Sequence, residues 1–459
     1  MRSLLGFLVL IIVTFSFSPV LPQDGQTLTL EECIKIAMQN NSDLKNAIYQ
    51  LDRAGANVKG SYSFILPRVS ASISSGRFVQ GDRTLLMDVP VGFDPQTGAA
   101  IFEQREIIQP GAARNSHRAS VTYSQTLFDF GRSWNSIKQA KTSYEAFTYN
   151  LTATKHRVYS TVKQRYLELL KALKLEQEFQ QAVQRSREQL KRTQSMYEIG
   201  SVAQVDVYKA EVTLGNDKIN LINQQTAVEI ARGNLNVAMG RDPETPLNIV
   251  DIDVEIHPPD FTLQEAIAIA EQNNPELKRF EEDMQSAEYG IKIAKAAYYP
   301  TIGFAITYSR NSTEINKVYG DLSKNWSVNL GASFDFNIFN GFSDMAEVSR
   351  QHVNYSIAKE NWLNRRRTLQ LEVKQAYLNL KAALDIAKIN ETNLRSAEED
   401  LRLAQERYRV GAGTFLEVID AQVALTRARV TLVRAKYDAL IAQAQLDAAM
   451  GRVNIGNLE

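Results

Sequence analysis

Two hydrophobic periods alternate along this chain. Period two is plainest in "NWSVNLGASFDFNIF", where Trp326, Val328, Leu330, Ala332, Phe334, Phe336 and Ile338 alternate with Ser327, Asn329, Gly331, Ser333, Asp335 and Asn337. "YPTIGFAITYSRN" puts Ile302, Phe304, Ile306 and Tyr308 on one side. Earlier in the chain, Val121, Tyr123, Gln125 and Leu127 alternate with Ser120, Thr122, Ser124 and Thr126, and "PRVSASISS" carries a weaker alternation. Each reads as a strand with one apolar and one small polar face. Such a face pair suits a wall between lipid and water, although a soluble amphipathic sheet alternates in the same way.

The other signal is length without breakers. From about Gly131 to Ile199, and again from Gly341 to Val410, there is no proline and little glycine. Roughly 70 helical residues at 1.5 Å each span about 100 Å, far beyond what an ordinary globular domain uses. A long helix then follows each break. In the last one, Leu416, Ile419, Val423, Thr426, Val430, Val433, Tyr437, Leu440 and Ala444 step by three and four. So do Val418, Ala421, Leu425, Ala428, Leu432, Ala435, Ala439, Ala442, Leu446 and Ala449. A two-stranded coiled coil has one seam; two seams on nearly opposite sides mean a neighbour on each flank, and helices packed so form a wall that can close into a tube. Two narrow faces remain, one with Gln422, Arg429, Lys436 and Gln443, the other with Glu417, Asp420, Arg427, Thr431, Arg434 and Asp438. The earlier helix repeats the layout with Val205, Tyr208, Val212 and Ile219 on one seam and Val207, Ala210, Leu214 and Leu221 on the other.

The chain is written twice. "LTLEECIKIAMQNNSDLK" from Leu28 matches "FTLQEAIAIAEQNNPELK" from Phe261 at an offset of 233, which Pro67 and Pro300 keep. From Phe128 and Phe339 onward the offset is 211, through Tyr166/Tyr377 to "AMGR" at Ala238 and Ala449. Copy one therefore carries 22 extra residues, placed within Gly81 to Asn115, where three prolines and four glycines read as loop. Thr29 with Glu32, and Thr262 with Glu265, have the spacing of a capping box. The organisation expected is a signal peptide (1–22), a first repeat (28–240), a linker (241–260), a second repeat (261–452) and a short tail (453–459). Each copy reads helix, strand, loop, strand, very long helix, break, long helix.

"MRSLLGFLVLIIVTFSFSPVLPQDG" has Arg2, an apolar run from Leu4 to Phe17, then small residues and prolines, the pattern of a secretory signal peptide. No later stretch has the length and apolarity of a membrane-crossing helix. With 52 basic and 52 acidic residues among 459, nothing recruits nucleic acid. His117, His156, His257 and His352 have no ligand spacing, so neither metal nor cofactor is expected. Cys33, the only cysteine, aligns with Ala266 and reads as a small residue packed in a helix. There is no nucleophile elbow or phosphate loop, so the chain does not read as an enzyme.

Assembly follows from counting. Four strands per chain are too few to close a barrel, lipid tolerates no open sheet edge, and eight-stranded barrels are filled. Three chains supply twelve strands, which makes a trimer the smallest assembly with a conduit. The breaks at Gly200 and Gly411 read as hairpin tips, where a left-handed residue lets the chain reverse. Acidic residues lie one or two turns beyond: Asp206 in copy one, Glu417 and Asp420 in copy two. Facing inward in a trimer, Glu417 and Asp420 make two rings with six carboxylates that favour cations; facing outward they are solvated surface charge. A periplasmic or surface coiled-coil scaffold without a pore is the competing reading, and it leaves the four alternating strands unused.

The tandem openings "LTLEECIKIAMQNNSDL" and "FTLQEAIAIAEQNNPEL", with the tips "YEIGSVAQVDV" and "YRVGAGTFLEVIDAQ", closely resemble the outer membrane efflux protein family of TolC type over nearly the whole mature chain. The resemblance implies a mainly helical fold with a membrane portion: a homotrimer with a 12-stranded barrel in outer-membrane lipid, continuous with a 12-helix tunnel in the periplasm of a Gram-negative type bacterium. It implies a passive exit duct for efflux or type I secretion, recruited by a periplasmic adaptor and an inner-membrane transporter of RND, ABC or MFS type. By position, Glu417 and Asp420 fall on the family's acidic aperture rings. Asp206 and Tyr408 fall on the latch that holds the closed state, and Tyr197, Gly200, Tyr408 and Gly411 on the adaptor-docking tips. Where some members pair an arginine with the acidic residue, this chain has Gly413, and Lys209 is the candidate substitute in the latch.

Overall fold

The computed structural model describes residues 27–252 and 258–453. The signal-peptide segment, part of the linker and the tail from 454 lie outside the described residues. In chain order the elements are β1 (Thr27–Leu28), α1 (Leu30–Asn40), α2 (Ser42–Ser61), β2 (Arg68–Gln80), β3 (Arg83–Phe93), β4 (Ala100–Gln109), β5 (Ala112–Phe128), α3 (Arg132–Glu198) and α4 (Gln204–Ala238). Then come β6 (Asn248–Ile249), α5 (Leu263–Asn273), α6 (Pro275–Lys295), β7 (Thr301–Ser312), α7 (Ile315–Tyr319), β8 (Trp326–Asp335), α8 (Ser343–Arg409) and α9 (Phe415–Ala449). The two longest helices, α3 and α8, have 67 residues each. No helix among the described residues is long and apolar enough to cross a membrane.

The chain divides into two compact units. One, Ala47–Leu151 with Pro275–Arg367, holds the sheets β2-β5-β7-β8 and β3-β4. Every neighbour in the four-stranded sheet is antiparallel, and the register sorts the side chains cleanly. Ile302/Phe334, Phe304/Ala332, Ile306/Leu330 and Tyr308/Val328 share one face with Tyr123, Val121, Val69, Ala71 and Ile73. The other face carries Ser70, Ser72, Ser120, Thr122, Ser124, Gly303, Thr307, Ser309, Ser327, Asn329, Gly331 and Ser333. Its hydroxyls bond across the strands: Ser72 with Ser120 at 2.8 Å, Thr122 with Thr307 at 3.2 Å, Ser309 with Ser327 at 2.9 Å. Gln125, the polar member of the apolar face, accepts from the Tyr123 hydroxyl at 2.7 Å and donates to the Ile65 carbonyl at 3.2 Å.

Three details depart from the sequence reading. Residues 81–115 are not loop: β3 and β4 pair antiparallel through ten register positions, and β5 already begins at Ala112. The prolines and glycines mark the corners of a ribbon, while Leu85, Leu86, Met87, Ile107 and Ile108 between them are strand formers. A bulge between Thr126 and Phe128 drops Leu127 from the ladder and sets Phe128 opposite Ile302. Finally, β8 ends at Asp335, so Phe336 and Ile338 lie beyond the strand, both exposed.

The other unit comprises residues up to Asn46, Thr152–Asn274 and Thr368 onward. Its first-copy core gathers Cys33, Ile34 and Ala37 of α1, Val162, Tyr166 and Leu169 of α3, and Val228, Leu235 and Met239 around α4. Both capping boxes are formed, by Thr29 with Glu32 and by Thr262 with Glu265. Cys33 and Ala266 are both fully buried, and burial pushes the Cys33 thiol up to about 12. The Tyr166 hydroxyl donates to the Val250 and Leu28 carbonyls, fastening the β1–β6 pair to α3; Tyr377 does the same to Phe261 in copy two. "AMGR" closes α4 and α9: Arg241 N–H reaches Asn236 and Gly240 N–H reaches Val237, and Arg452/Asp447 with Gly451/Ala448 repeat it. This is the Schellman pattern, with Gly240 and Gly451 at φ +74° and +70°. A Cβ on Gly240 would lie 2.7 Å from the Asn40 backbone, so the helix end packs directly on the end of α1.

Candidate functional site

Both tips are built by the same device. Ser201 N–H bonds to Met196 O at 2.8 Å and Gly200 N–H to Tyr197 O at 2.9 Å; Ala412 to Arg407 and Gly411 to Tyr408 repeat this at 2.8 and 3.1 Å. Gly200 and Gly411 take φ +75° and +76°, the left-handed conformation a Schellman closure requires. Tyr197 and Tyr408 thus each supply a closing carbonyl. Their rings differ in setting: Tyr197 is exposed, whereas Tyr408 is half-buried with its ring 5.9 Å from that of Phe415.

The two tips pack together. Leu190, Ala210, Phe415 and Ile419 form one cluster and Leu401, Ala404, Val418 and Ala421 another, and Tyr408 touches both. An open cleft of about 530 Å³ lies between the tips, lined by Ser201, Ala203, Asp206, Lys209, Tyr408, Thr414 and Leu416 among others. Asp206 and Lys209 pair at 3.9 Å within it, three residues apart on α4. Burial, and secondarily the charge of Asp206, push the Tyr408 phenol above its ordinary range.

Glu417 and Asp420 have different surroundings. Thr414 caps α9, accepting from Glu417 N–H at 3.3 Å, and its hydroxyl lies 3.4 Å from Glu417 Oε1. Arg407 approaches the other carboxylate oxygen at 3.4 Å and donates to the Ala412 carbonyl at 3.1 Å. Glu417 is therefore held by a cap and a cation. Asp420 is exposed, with no ion pair among the described residues. Gly413 leaves room for the Arg407–Glu417 pair: a Cβ there would sit 3.1 Å from Arg407 Cβ and 3.2 Å from Glu417 Oε2. Sequence reasoning missed Arg407, although it opens "RYRVGAG" at the residue whose carbonyl closes the turn.

On α9 the seam through Val418, Ala421, Leu425, Ala435, Ala439, Ala442 and Leu446 is buried; of the other, Ile419, Val430, Leu440 and Ala444 are buried and Leu416 and Val423 exposed. On α4, Val207, Ala210 and Leu214 are buried while Val205, Tyr208, Val212 and Ile219 are exposed. Gln422, on one of the two narrow faces between the seams, is 8% exposed. That face looks into the groove between helices, where Arg429 meets Glu178 and Glu398 at 3.9 and 3.4 Å. No cluster of metal-binding side chains occurs among the described residues.

A sheet with one apolar and one hydroxyl-lined face, joined in one chain to twin 67-residue helices and to twin 35-residue helices that carry the seams, defines a membrane channel protein built by tandem duplication. Known proteins narrow this class. Residues 33–241 and 266–452 match the outer membrane efflux protein family, and the chain belongs to it. It is 23% identical over 440 residues to nodulation protein T of Rhizobium leguminosarum bv. trifolii, covering 92% of this chain and 85% of that one. To outer membrane protein TolC of Escherichia coli K12 it is 24% identical over 359 residues, covering 75% and 71%. The fold is that of the Neisseria gonorrhoeae MtrE outer membrane channel in its open state, with a TM-score of 0.75, 19% identity, and coverage of 92% and 88%. The chain is thus an outer-membrane efflux channel of TolC type, in a family of channels rather than enzymes. A pore-free scaffold is set aside.

Proposed function

We propose that three copies assemble into a passive exit duct, closed at rest by the tips and engaged by a periplasmic adaptor and an energised inner-membrane transporter. The observation that carries the assembly is the open four-stranded sheet, with β2 and β8 as unpaired edges and an apolar face of exposed Val69, Ile73, Leu330 and Phe334. Lipid accepts that face but no open edge, and three copies of four strands close a ring wide enough to conduct. The exposed seam of α4, with Tyr208 and Ile219 at 55% and 58%, supplies a matching helix surface for a neighbouring copy.

In this reading Glu417 and Asp420 ring the aperture, and Asp206, Lys209 and Tyr408 latch the two tips. Tyr197, Gly200, Tyr408 and Gly411 meet the adaptor. Transporter class, whether RND, ABC or MFS, is set by the partner. The test is native mass together with single-channel conductance of the purified protein in a planar bilayer. A trimer giving small, cation-selective events is expected, with selectivity fading in Glu417→Ala/Asp420→Ala. Folded trimers that never conduct, even after the tips are loosened by Tyr408→Ala, would overturn it.

A further inference from the structure

The connection from β7 to β8 turns at the end of the sheet away from the helices, because β8 runs on toward α8. β8 has ten residues, the number a tilted strand needs to cross a bilayer, so this loop begins where such a span ends. The register sets Arg310 and Trp326 opposite each other on the apolar face, in one row with Ala119 and Ile73. Both reach from the strands to the loop. Arg310 Nη2 shares its hydrogens among the carbonyls of Lys317 at 3.2 Å, Lys324 at 2.9 Å and Asp321. Trp326 Nε1 donates to the Ser323 carbonyl at 3.2 Å. Arg310 is left 3% exposed. The loop is therefore folded down over the apolar face, not over the hydroxyl-lined one.

The loop also satisfies its own polar groups. Gly320 N–H bonds to Asn316 O at 2.8 Å, and Asp321 Oδ1 accepts from the Ser323 N–H and hydroxyl at 2.9 and 2.6 Å. Its charges pair as Glu314 with Lys317 and Asp321 with Lys324. A loop in water has no need of this, whereas at the edge of lipid an unsatisfied carbonyl is costly. What the loop turns outward is apolar: Ile315, Tyr319 and Leu322 are 56%, 46% and 71% exposed. Ile315 and Tyr319, four residues apart, share one side of α7, and Val318 is turned inward. Lys317 and Lys324 are exposed beside them, with stems long enough to lie along apolar surface while the ammonium stays wet. Aromatic rings at this level, Tyr319 and Trp326, are the mark of a membrane interface.

We infer that the β7–β8 loop seats in the outer leaflet, with Ile315, Tyr319 and Leu322 in the boundary between headgroups and acyl chains and Arg310 as the clasp that holds it there. The inference rests on the sheet standing in lipid as part of the proposed barrel. The occupant is lipid rather than a second copy because α7 packs on β5 and β7, the two central strands. Neighbouring copies join at the edge strands β2 and β8, which leaves the outer side of α7 uncovered. The loop also continues the face of Val121, Tyr308 and Val328 below it, so one surface runs from the sheet into the loop. Folded this way, the loop fixes the depth of the wall in the membrane and stays clear of the conduit.

A nitrobenzoxadiazole label on Leu322→Cys tests this in the full chain reconstituted into phospholipid vesicles. Labels on Leu330→Cys, in the apolar face, and on Thr97→Cys, in the exposed turn between β3 and β4, serve as references. Cys33 is buried and stays unlabelled. Nitroxide-bearing lipids are expected to quench the labels at 322 and 330 severalfold more than the one at 97, and iodide on both sides of the membrane to reverse that order. Adding Arg310→Met should open the 322 label to iodide while the 330 label stays lipid-quenched. A 322 label as open to iodide as the one at 97, or shielded from both quenchers, overturns the seated loop and leaves the barrel standing. A 330 label that lipid does not quench overturns the membrane wall itself.

Discussion

Arg407 Nη1 lies 3.4 Å from Glu417 Oε2, across the turn that Gly411 closes. The pair divides the two carboxylates beyond the tip: Glu417 is partly neutralised, whereas Asp420 is not. Asp420→Ala should therefore lower cation-over-anion permeability severalfold, and Glu417→Ala by less. Arg407→Ala should raise it. The Arg407 side chain is 60% exposed, and such pairs contribute about 0.2–1 kcal/mol, so folding should be unaffected. Reversal potentials in a salt gradient read all three; equal effects of the two acidic variants would refute the division.

Gly200 and Gly240 share a left-handed backbone but not their surroundings. Nothing lies within 4 Å of a Cβ at 200, while one at 240 meets the Asn40 backbone at 2.7 Å. Gly200→Ala should cost only the conformational strain, about 1–2 kcal/mol. Gly240→Ala should cost more, because α1 must move away. Comparing thermal unfolding midpoints of the two variants decides it.

The duplication predicts paired lesions. Leu235 and Leu446 occupy equivalent positions and are 0% and 1% exposed. Leu235→Ala and Leu446→Ala should each destabilise by about 2–5 kcal/mol, measured by chemical unfolding. A silent member of the pair would mean the copies do not share one core design.

Glu282 should make stability depend on pH. Burial first, then the negative charge of Glu145 and Glu281, raises it above its ordinary 4.5. The folded chain thus holds that proton more tightly than the unfolded chain. The resulting stabilisation is complete below the ordinary value and is lost as pH rises through the higher folded value. Glu282→Gln should raise the melting temperature near neutral pH, with the gain vanishing in acid. A gain independent of pH would point to another cause.

Periodicity made the long helices and the sheet readable, because each signal ran unbroken over many residues and was written twice. The glycines at 200 and 411 were equally legible, since each breaks a helical pattern; those at 240 and 451 showed only as part of the repeated "AMGR". The β3–β4 ribbon was not: Gly81, Pro95, Gly98 and Pro110 punctuate turns and loops alike, and no second copy existed for comparison. Arg407 escaped because its partner follows ten residues later across a turn, a spacing that belongs to no helix face. Gln422 escaped because its burial depends on how α9 sits against its neighbours, which no single-helix pattern contains.

The hydroxyl rows of the four-stranded sheet carry one more consequence. Ser72 binds Ser120, Thr122 binds Thr307, and Ser309 binds Ser327; each pair shares one donated hydrogen, so one hydroxyl hydrogen per pair and the remaining lone pairs stay free for water. In the proposed trimer these rows would line the conduit with neutral hydroxyls, which hold water and offer a passing molecule no charge to pair with.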